Sequence, residues 1–590
     1  MKDDAVARTD PLLLEIIRNG LDTVADEMAL ILMRTAYSAI IRDSMDYSTA
    51  VCDAEGQIVG QGLTTPMHLG SFYDAMRHLI TQYQGDIYEG DLFIGNDPYL
   101  ASGQHLPDIY IIRPFFHDGS LQGWATTIAH HVDVGGLVPG SNSIGATEIF
   151  QEGLRLPFLK LRERGVDNAA IWSIIEANVR VPGLVLGDLR AQVSAAEAGL
   201  RGFDELFGRY GAEPMRQAFV DLHDLAERIA RIYISAIPDG VYRFTDHIDG
   251  LGQEPEPIVL QVEITVTGDV ITADWTGTAK QVRGGINAPL SFTKSNVYAA
   301  LRSIMPPDMP NCHGYTRPIT VLAPEGTLVN CVSPAPCGAR GITGYRIVDC
   351  MFGALAPALP DKLTADGAGG STLPTFAGQI DGAPFVFSEC IMGTWGASRD
   401  HDGQDGVPHM ASNQSNVPIE MIEADFPLRI ESYGLVTDTG GAGRRRGGLA
   451  LKRDYRILTD DCFLGVRSDK RRFPPHGLFG GGEGAPSTNT VEKDNELTVV
   501  PTLPTERIML GQGAVFRHMM AGGGGYGNAH EREPERVLDD VLDGRVSVGA
   551  ARDVYGVVLT AGGRGIDRAA TDRLRSAGTT DEKDRPSERS

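Results

Sequence analysis

The chain has 590 residues, with 53 Lys and Arg against 77 Asp and Glu, and a formal net charge of −24 at pH 7. Such an acidic chain is poorly suited to nucleic acid, because neutralising phosphates requires clustered basic residues. Hydrophobic residues make up 42% and charged residues 22%, as in packed globular proteins. At roughly 150 residues per domain, the length predicts two to four domains. The 71 glycines exceed the usual share of about 7% and predict many tight turns.

The cysteines and the hydropathy pattern indicate a soluble protein of a reducing compartment. Seven cysteines form no CxxC pair, which disfavours a disulfide framework and a thiolate zinc site. Residues 1–10 carry three aspartates and no apolar run, so no signal peptide is evident. No apolar stretch reaches the ~20 residues that span a bilayer. We therefore expect a cytoplasmic protein without membrane association.

The first half of the chain alternates between helical and strand patterns. Apolar residues recur every three or four positions over 11–42 and predict a helix. Two short strands follow over 46–60, around a turn at Asp53–Gly56, and residues 91–140 predict a sheet with long loops. The stretch 148–237 returns to helix, with a predicted break at Pro214.

The second half predicts strands first and loops afterwards. Residues 240–278 alternate apolar and polar positions around a turn at 267–269. The stretch from about 284 to 450 is rich in glycine, and strand patterns return over 450–560 before a closing helix that begins near Val537. From about Asp567 the composition is polar, which predicts a disordered tail.

These patterns together predict a mixed α+β fold with several sheets. Its long helices would lie near 11–42 and 148–237, and glycine-rich loops would surround a central cavity. The predicted domains are a metal-binding α+β domain (1–240), a glycine-rich β and loop domain (241–450), a C-terminal β domain with the closing helix (451–566) and the tail (567–590).

The residues that indicate chemistry lie in two nearby segments, GNDPYLASGQHLPD (95–108) and AHHVDVGG (129–136). Together they contain Asp97, His105, Asp108, His130, His131 and Asp133. Imidazole and carboxylate groups in combination suit a divalent ion such as zinc or manganese. His105 and Asp108 could reach one ion from a single loop, and His130, at the end of a strand pattern, would supply a third ligand. Asp46 could complete the set.

A structural role is the alternative for each of these residues taken singly. Histidines can bind turn carbonyls, and aspartates commonly cap turns. As a set, HxxD and HHxD inside glycine-flanked loops favour a metal site. Asp43 lies three positions before Asp46 and is an alternative ligand.

Four glycine-rich segments have weaker indications. AGGGGYGN (521–528) could bind an anion through backbone amides, and GGAGRRRGG (440–448) could bind an anion, contact another subunit or be a solvated loop. ADGAGG (365–370) and GTWGASRDHDG (393–403) are typical of loops that line a cavity. No GxxxxGK[ST] phosphate-binding loop occurs in the chain.

Several of these motifs together resemble the hydantoinase B/oxoprolinase family. They are GNDPYLASGQHLPD, AHHVDVGG, NVRVPGLVLGDLRAQ, SNVPIEMIEADFPLRIESYGL with GGAGRRRGG, and MAGGGGYGN with VLDDVLDG, in order from about residue 11 to about 560. The family includes B-type subunits of ATP-dependent N-methylhydantoinase and 5-oxoprolinase, lactam-hydrolysing relatives, and related subunits of acetone and acetophenone carboxylases. Its members work with an A-type subunit that binds ATP, which is consistent with the missing nucleotide motif here.

The resemblance implies a site as well as an activity. It implies a divalent metal, zinc or manganese, held by Asp46, His105, Asp108 and His130. His131 and Asp133 would lie behind the ligands or in the substrate pocket and could move a proton as catalytic residues. ATP with magnesium would be bound by the A-type partner in a hetero-oligomer, where it would phosphorylate a hydantoin, 5-oxoproline or lactam ring that water then opens at this chain's metal.

The sequence leaves two other functions open. One is a subunit of an ATP-dependent ketone carboxylase. The chain length disfavours it slightly, because acetone carboxylase large subunits tend to be longer, and ATP turnover that depends on bicarbonate would reveal it. The other is a non-catalytic scaffold for the ATP-binding subunit, which would hold no stoichiometric metal. The sequence does not specify the ring, the metal or the stoichiometry.

Overall fold

The computed structural model describes residues 8–62, 65–369 and 372–581. The α-helices in these ranges are α1 (Pro11–Thr35), α2 (Ala39–Arg42), α3 (Pro66–Gln82), α4 (Ala169–Asn178), α5 (Pro182–Tyr210), α6 (Ala212–Ser235), α7 (Leu290–Ser303), α8 (Gly341–Leu355), α9 (Ile419–Asp425), α10 (Pro534–Leu542), α11 (Val548–Asp553) and α12 (Arg568–Asp581). Short 3₁₀ turns occur at Ile149–Gln151, His313–Thr316 and Ala529–Glu531.

The strands alternate with these helices along the chain. They are β1 (Tyr47–Asp53), β2 (Ile58–Gln61), β3 (Leu92–Gly95), β4 (Asp108–His117), β5 (Ser120–His130), β6 (Leu159–Glu163), β7 (Val166–Asp167), β8 (Gly240–Ile248), β9 (Ile258–Thr267), β10 (Val270–Asp274), β11 (Ile319–Leu322), β12 (Leu373–Ile380), β13 (Ala383–Ser388), β14 (Gly393–Thr394), β15 (Asp405–Val407), β16 (Leu428–Leu435), β17 (Leu451–Ile457), β18 (Cys462–Arg467), β19 (Thr488–Lys493), β20 (Glu496–Val499), β21 (Ile508–Leu510) and β22 (Val515–Met519). The predicted α+β class with several sheets is confirmed.

Helix α1 illustrates how local sequence determines an element. The Asp10 carboxylate accepts hydrogen bonds from the amides of Leu12 and Leu13, and Pro11 occupies the first turn. The residues that α1 buries recur every three or four positions, from Ile17 to Leu32. The helix ends at Thr35, because Ala36 is extended, and α2 completes the predicted helical stretch.

The break in the second helical region differs from the prediction. Helices α5 and α6 are separated at Gly211, whose φ of 85° favours glycine, while Pro214 lies in the first turn of α6. Proline is tolerated in a first turn because the amide it lacks would have no partner there. The prediction of a break at Pro214 was therefore wrong by three residues.

A seven-stranded antiparallel sheet, in the order β2-β1-β5-β4-β3-β6-β7, dominates the N-terminal region. Its two faces follow the alternation of side chains along β4. Ile109 and Ile111 pack in one apolar cluster with residues of α1 and α5, whereas Tyr110 and Ile112 pack with residues of α3 in another. The sheet is therefore covered by helices on both faces, and its strand ends are where loops converge.

The remaining sheets follow along the chain. One four-stranded sheet has the order β11-β10-β9-β8 and packs against α7 and α8. A second four-stranded sheet is β13-β12-β18-β21, a five-stranded sheet is β16-β17-β22-β19-β20, and β14 pairs with β15. Strands on the two sides of residue 450 pair as β12 with β18 and β16 with β17. The division into domains at 240 and 450 stays a prediction.

The C-terminal region differs from its predicted form in two ways. The closing helix is two short helices, α10 and α11, and not one. The stretch predicted to be disordered from 567 forms α12 as far as Asp581, with Thr571 buried; the rest of the predicted tail, 582–590, lies outside the described residues. Among the described helices, none is both long enough and apolar enough to cross a bilayer.

Candidate metal centre

Three neighbouring strands bring the predicted ligands to one end of the large sheet. Asp108 begins β4 and lies directly opposite His130, which ends β5. Asp46 immediately precedes β1, and its carbonyl accepts a hydrogen bond from the amide of His130. His105 lies in the tight turn that leads into β4. Adjacent strand ends, together with the turn that leads into β4, therefore position the four side chains, and strands are rigid supports for a site.

His105 is oriented by a backbone carbonyl from a distant loop. Its Nδ1 donates a hydrogen bond of 2.9 Å to the carbonyl oxygen of Gly338. Its Nε2 then carries the free lone pair and lies 3.2 Å from Oδ1 of Asp108. The rings of His105 and His130 are 5.0 Å apart between centroids. A carbonyl that fixes the tautomer of an imidazole is the usual support for a metal-binding histidine.

The structure adds one histidine that the sequence analysis missed. His68, near the start of α3, has its Nε2 3.6 Å from Oδ1 of Asp46 and 3.8 Å from Oδ2 of Asp108. Its Nδ1 is 3.2 Å from the hydroxyl of Ser48. No spacing connected His68 to the other histidines, because α3 reaches the cluster only through tertiary packing.

The structure also distinguishes the two aspartates that the sequence left as alternatives. Asp43 is engaged by its neighbour Arg42, whose Nη2 lies 2.8 Å from its Oδ2. Asp46 instead faces His68 in the buried cluster. Asp46 is therefore the aspartate of this segment that lies with the histidines in the cluster.

Several polar atoms of the cluster are buried without any hydrogen-bond partner. These atoms are Oδ1 of Asp46, Nε2 of His105, Oδ1 of Asp108, and both ring nitrogens of His130. Leaving buried polar atoms unsatisfied costs about 1–3 kcal/mol each. Across the described ranges, no group of three or more His, Cys, Asp or Glu side chains is arranged so that it could hold a metal ion without side-chain movement. The free atoms nevertheless make an N and O donor set suited to a divalent ion.

Burial keeps the histidines of the cluster neutral. It lowers the pKa of His68 and of His105 to about 4 and lowers the pKa of His130 well below 6.5. Burial, together with the charge of Asp108, raises the pKa of Asp46 to about 7. Burial alone would raise the pKa of Asp108 as well, but the Arg340 guanidinium holds it well below its ordinary value. Neutral imidazoles are the form that binds metal ions.

Two arginines that the sequence analysis did not single out reach this site. The guanidinium of Arg340 bonds Oδ2 of Asp108, donates to Oε1 of Gln104 at 2.7 Å and lies over the ring of Phe292. Arg467, at the end of β18, contributes positive charge that lowers the pKa of Asp46 and of His130. Both arginines come from segments more than 200 residues away in sequence.

The two residues predicted to move protons have other contacts in the structure. Nε2 of His131 donates to Oε1 of Gln192 at 2.9 Å. The carboxylate of Asp133 accepts hydrogen bonds from the amides of Gly135, Gly140 and Arg180 and from Nη1 of Arg180. Asp133 therefore organises the loop after β5, and proton transfer by His131 or Asp133 stays a prediction.

The glycine-rich segments form a second region of the protein. A cavity of about 320 Å³ is lined in part by Ala365–Gly367 and Trp395–Gly396. The prediction that the two segments line a cavity is therefore confirmed for these residues. The amides of 521–528 that could bind an anion are largely occupied: those of Gly523, Gly524, Gly525 and Tyr526 donate to backbone carbonyls. Arg446 is buried near Asp405 and Asp540, so this arginine is engaged within the chain.

Comparisons with known proteins agree with this architecture. The sequence profile described as hydantoinase B/oxoprolinase matches residues 10–529. A protein assigned as the B-type subunit of a D-/L-hydantoinase from a Pseudomonas species is 34% identical over 96% of this chain and 98% of its own length. The beta subunit of caprolactamase from Pseudomonas jessenii is 31% identical over 96% of this chain and 99% of its own.

Solved structures show the same fold. The crystal structure of ATP-dependent caprolactamase from Pseudomonas jessenii superimposes with a TM-score of 0.89 at 29% identity, over 97% of this chain and all of that one. Nucleotide-free acetone carboxylase gives a TM-score of 0.91 at 19% identity, over 98% of this chain and 84% of that one; this likeness shows the fold alone.

The fold and the cluster define a mixed α+β protein with a buried His and Asp site at the ends of three strands. Its sequence agrees with one family over most of its length. The chain belongs to the hydantoinase B/oxoprolinase family.

Proposed function

We propose that this chain is the B-type subunit of an ATP-dependent cyclic-amide hydrolase and that Asp46, His105, Asp108 and His130 hold a divalent ion. The observation that carries the proposal is the set of buried ligand atoms without partners at the ends of β1, β4 and β5. Relatives named as hydantoinase and caprolactamase subunits over nearly the full chain support the reaction class.

The donor atoms fit such an ion chemically. Zinc and manganese bind neutral imidazole and carboxylate, and the cluster offers both types of ligand. The 3.2 Å between Nε2 of His105 and Oδ1 of Asp108 is close to the ~3.3 Å that separates two ligands of a tetrahedral ion with bonds of about 2.0 Å. Such an ion supplies activated water and polarises an electrophile.

The protein residues around it hold these groups in place. The Gly338 carbonyl keeps His105 in the tautomer with Nε2 free. Arg340 bonds Oδ2 of Asp108 and leaves its Oδ1 without a hydrogen-bond partner, facing His105. His68 lies beside both carboxylates and can hold or pass a proton at its Nε2. The burial of the whole cluster excludes bulk water from the reacting centre.

The proposal includes an A-type partner that binds ATP. Two relatives are themselves named as subunits of larger enzymes, and this chain has no phosphate-binding loop motif. The partner would phosphorylate the oxygen of a hydantoin, 5-oxoproline or lactam ring, and the activated ring would be opened at this site. The acetone carboxylase fold keeps ketone carboxylation as a second candidate, for which ATP turnover would depend on bicarbonate.

The test combines metal analysis with turnover in the assembled complex. His105→Ala and His130→Ala are expected to lose the bound ion and to reduce ATP-dependent ring opening at least a hundredfold. The matched control, His401→Ala, changes an exposed histidine outside the cluster and should keep both. If folded, assembled His105→Ala and His130→Ala complexes retain full turnover, the chain is a scaffold and the proposal is wrong.

A further inference from the structure

Five of the six buried arginines that the structure describes are paired with carboxylates. A charged side chain is expensive to bury unless a partner of opposite sign compensates it. Arg340 at the metal centre bonds Asp108, and the four arginines with less than 2% exposure follow the same pattern. Their partners are Asp246 and Asp469 for Arg346, Asp405 and Asp540 for Arg446, Glu389 for Arg453, and Asp402 and Asp540 for Arg532.

Arg467 is the exception beside the cluster. It is 6% exposed, and its Nε and Nη1 have no hydrogen-bond partner. Its Nη2 lies 3.8 Å from the sulfur of Cys390. Within the part of the chain that the structure describes, no carboxylate oxygen lies within 4.0 Å of its guanidinium nitrogens. The protein therefore keeps a buried positive charge whose counter-ion it does not supply at contact distance.

The guanidinium of Arg467 lies against the first residue of α8, Gly341. A Cβ added at Gly341, the residue after Arg340, would lie 3.1 Å from Nη1 of Arg467. The charge of Arg467 is also near enough to lower the pKa of Asp46, His130 and Arg340. An unpaired, buried guanidinium beside the cluster is suited to bind an anionic group that the chain itself does not supply.

We propose that Arg467 binds the phosphoryl group of the activated ring and the inorganic phosphate released from it. This inference rests on the proposed function, because it assigns the phosphoryl recognition that the reaction requires to a residue of this chain. A guanidinium is the side chain best suited to phosphate, since it is planar, always charged and rich in donors. Arg340 is less available, because Asp108 and Gln104 already accept its donors.

The direct test measures phosphate binding without turnover. Inorganic phosphate is titrated calorimetrically into the full chain loaded with manganese, and acetate is the carboxylate comparison. Arg467→Gln is expected to weaken phosphate binding at least tenfold, and Arg467→Lys should restore part of it. Arg429→Gln removes an exposed arginine on β16 and serves as the matched control, with binding unchanged.

A second measurement needs no variant and so does not depend on how Arg467→Gln folds. Manganese in the wild-type chain should broaden the ³¹P resonance of added phosphate, because the anion would lie next to the ion. Equal phosphate affinity in wild type and Arg467→Gln, or no broadening, would overturn the inference. Acetate binding as tight as phosphate and equally dependent on Arg467 would also overturn it, in favour of a substrate carboxylate. If the complex opens the ring but binds no phosphate at Arg467, this inference is wrong and the proposed function still stands.

Discussion

Glu152 supports the site indirectly, through the loop residue Gly338. Its carboxylate is fully buried and accepts hydrogen bonds from the amides of Cys337, at 2.9 Å, and Gly338, at 2.6 Å. The carbonyl of Gly338 in turn accepts the hydrogen bond from His105. Glu152 therefore holds the loop that sets the orientation of a proposed ligand, although no contact places it against the cluster.

We predict that Glu152→Gln weakens metal binding. The glutamine side chain keeps one acceptor oxygen, so one of the two amides loses its partner and faces an NH₂ group. Changes behind metal ligands typically cost about 10–100-fold in affinity, and we expect at least tenfold here, measured by competition with a chelator. Glu176→Gln changes an exposed glutamate of α4 and should have no effect; equal affinity in both variants would contradict the role of Glu152.

His518 allows a prediction on pH dependence away from the site. It is buried on β22, its Nδ1 lies 2.6 Å from Oδ1 of Asn489, and burial lowers its pKa from 6.5 to about 3. As pH falls below 6.5, the unfolded chain takes up a proton at this histidine and the folded protein does not. Its contribution to stability is therefore full above pH 6.5 and decreases toward pH 3, by at most about 1.4 kcal/mol per pH unit.

We predict that His518→Asn reduces the acid sensitivity of the fold. The unfolding temperature of the wild type should drop more steeply between pH 7 and pH 4 than that of the variant, whatever their difference at pH 7. The two are compared by calorimetry in the same buffers. Parallel curves would show that His518 is not the neutral buried group that the structure indicates.

At the scale of elements, three glycine-rich loops are joined through their backbones. Residues 440–448, 475–484 and 521–527 exchange hydrogen bonds, among them Gly441 to Gly523, Tyr526 to Arg445 and Gly525 to Gly482. A Cβ at Gly447 would overlap the carbonyl oxygen of Gly523. The glycine excess of the sequence therefore serves close packing of backbone against backbone, in addition to turns.

We predict that Gly447→Ala destabilises the protein strongly. Overpacking of this kind costs about 1–3 kcal/mol or more when the atom met is rigid backbone. The unfolding temperature should fall by several degrees, with loss of the loop arrangement around the 320 Å³ cavity. Gly562→Ala is the matched control, since an added Cβ there meets nothing within 4 Å; equal unfolding temperatures for the two variants would refute the packing argument.

At the scale of the whole molecule, the chain contains a candidate metal centre but no motif for ATP. Its charge of −24 disfavours polyanions at the surface, whereas the buried centre combines two arginines with the proposed ligands. The charge that attracts phosphate would thus be local and enclosed. An acidic chain with positive charge confined to the buried centre is what we expect if another subunit delivers the phosphorylated group.

We predict that the isolated chain does not hydrolyse ATP and that the complex with an A-type partner does so only when a cyclic amide is present. ATP turnover and ring opening are measured together, with and without bicarbonate. Turnover that requires bicarbonate would replace the hydrolase with a carboxylase. Turnover by the chain alone would contradict the assignment of ATP to the partner.

The sequence by itself determined much of the local structure. Helix α1 follows from its apolar spacing and its Asp10 cap, and the β9–β10 hairpin follows from alternation around Gly268. It also indicated Asp108 and His130, whose segments turned out to be paired strands. These features depend on neighbours within a few residues, which periodicity and turn chemistry report directly.

Only the tertiary structure decided the rest of the site. The remaining groups come from other elements: His68 from α3, Gly338 and Arg340 from the segment that leads into α8, and Arg467 from β18. Nothing in their local sequence sets them apart, because their proximity results from the packing of separate sheets and helices. Hydrophobic periodicity determines which face of an element is buried, whereas long-range packing determines which buried polar groups meet there.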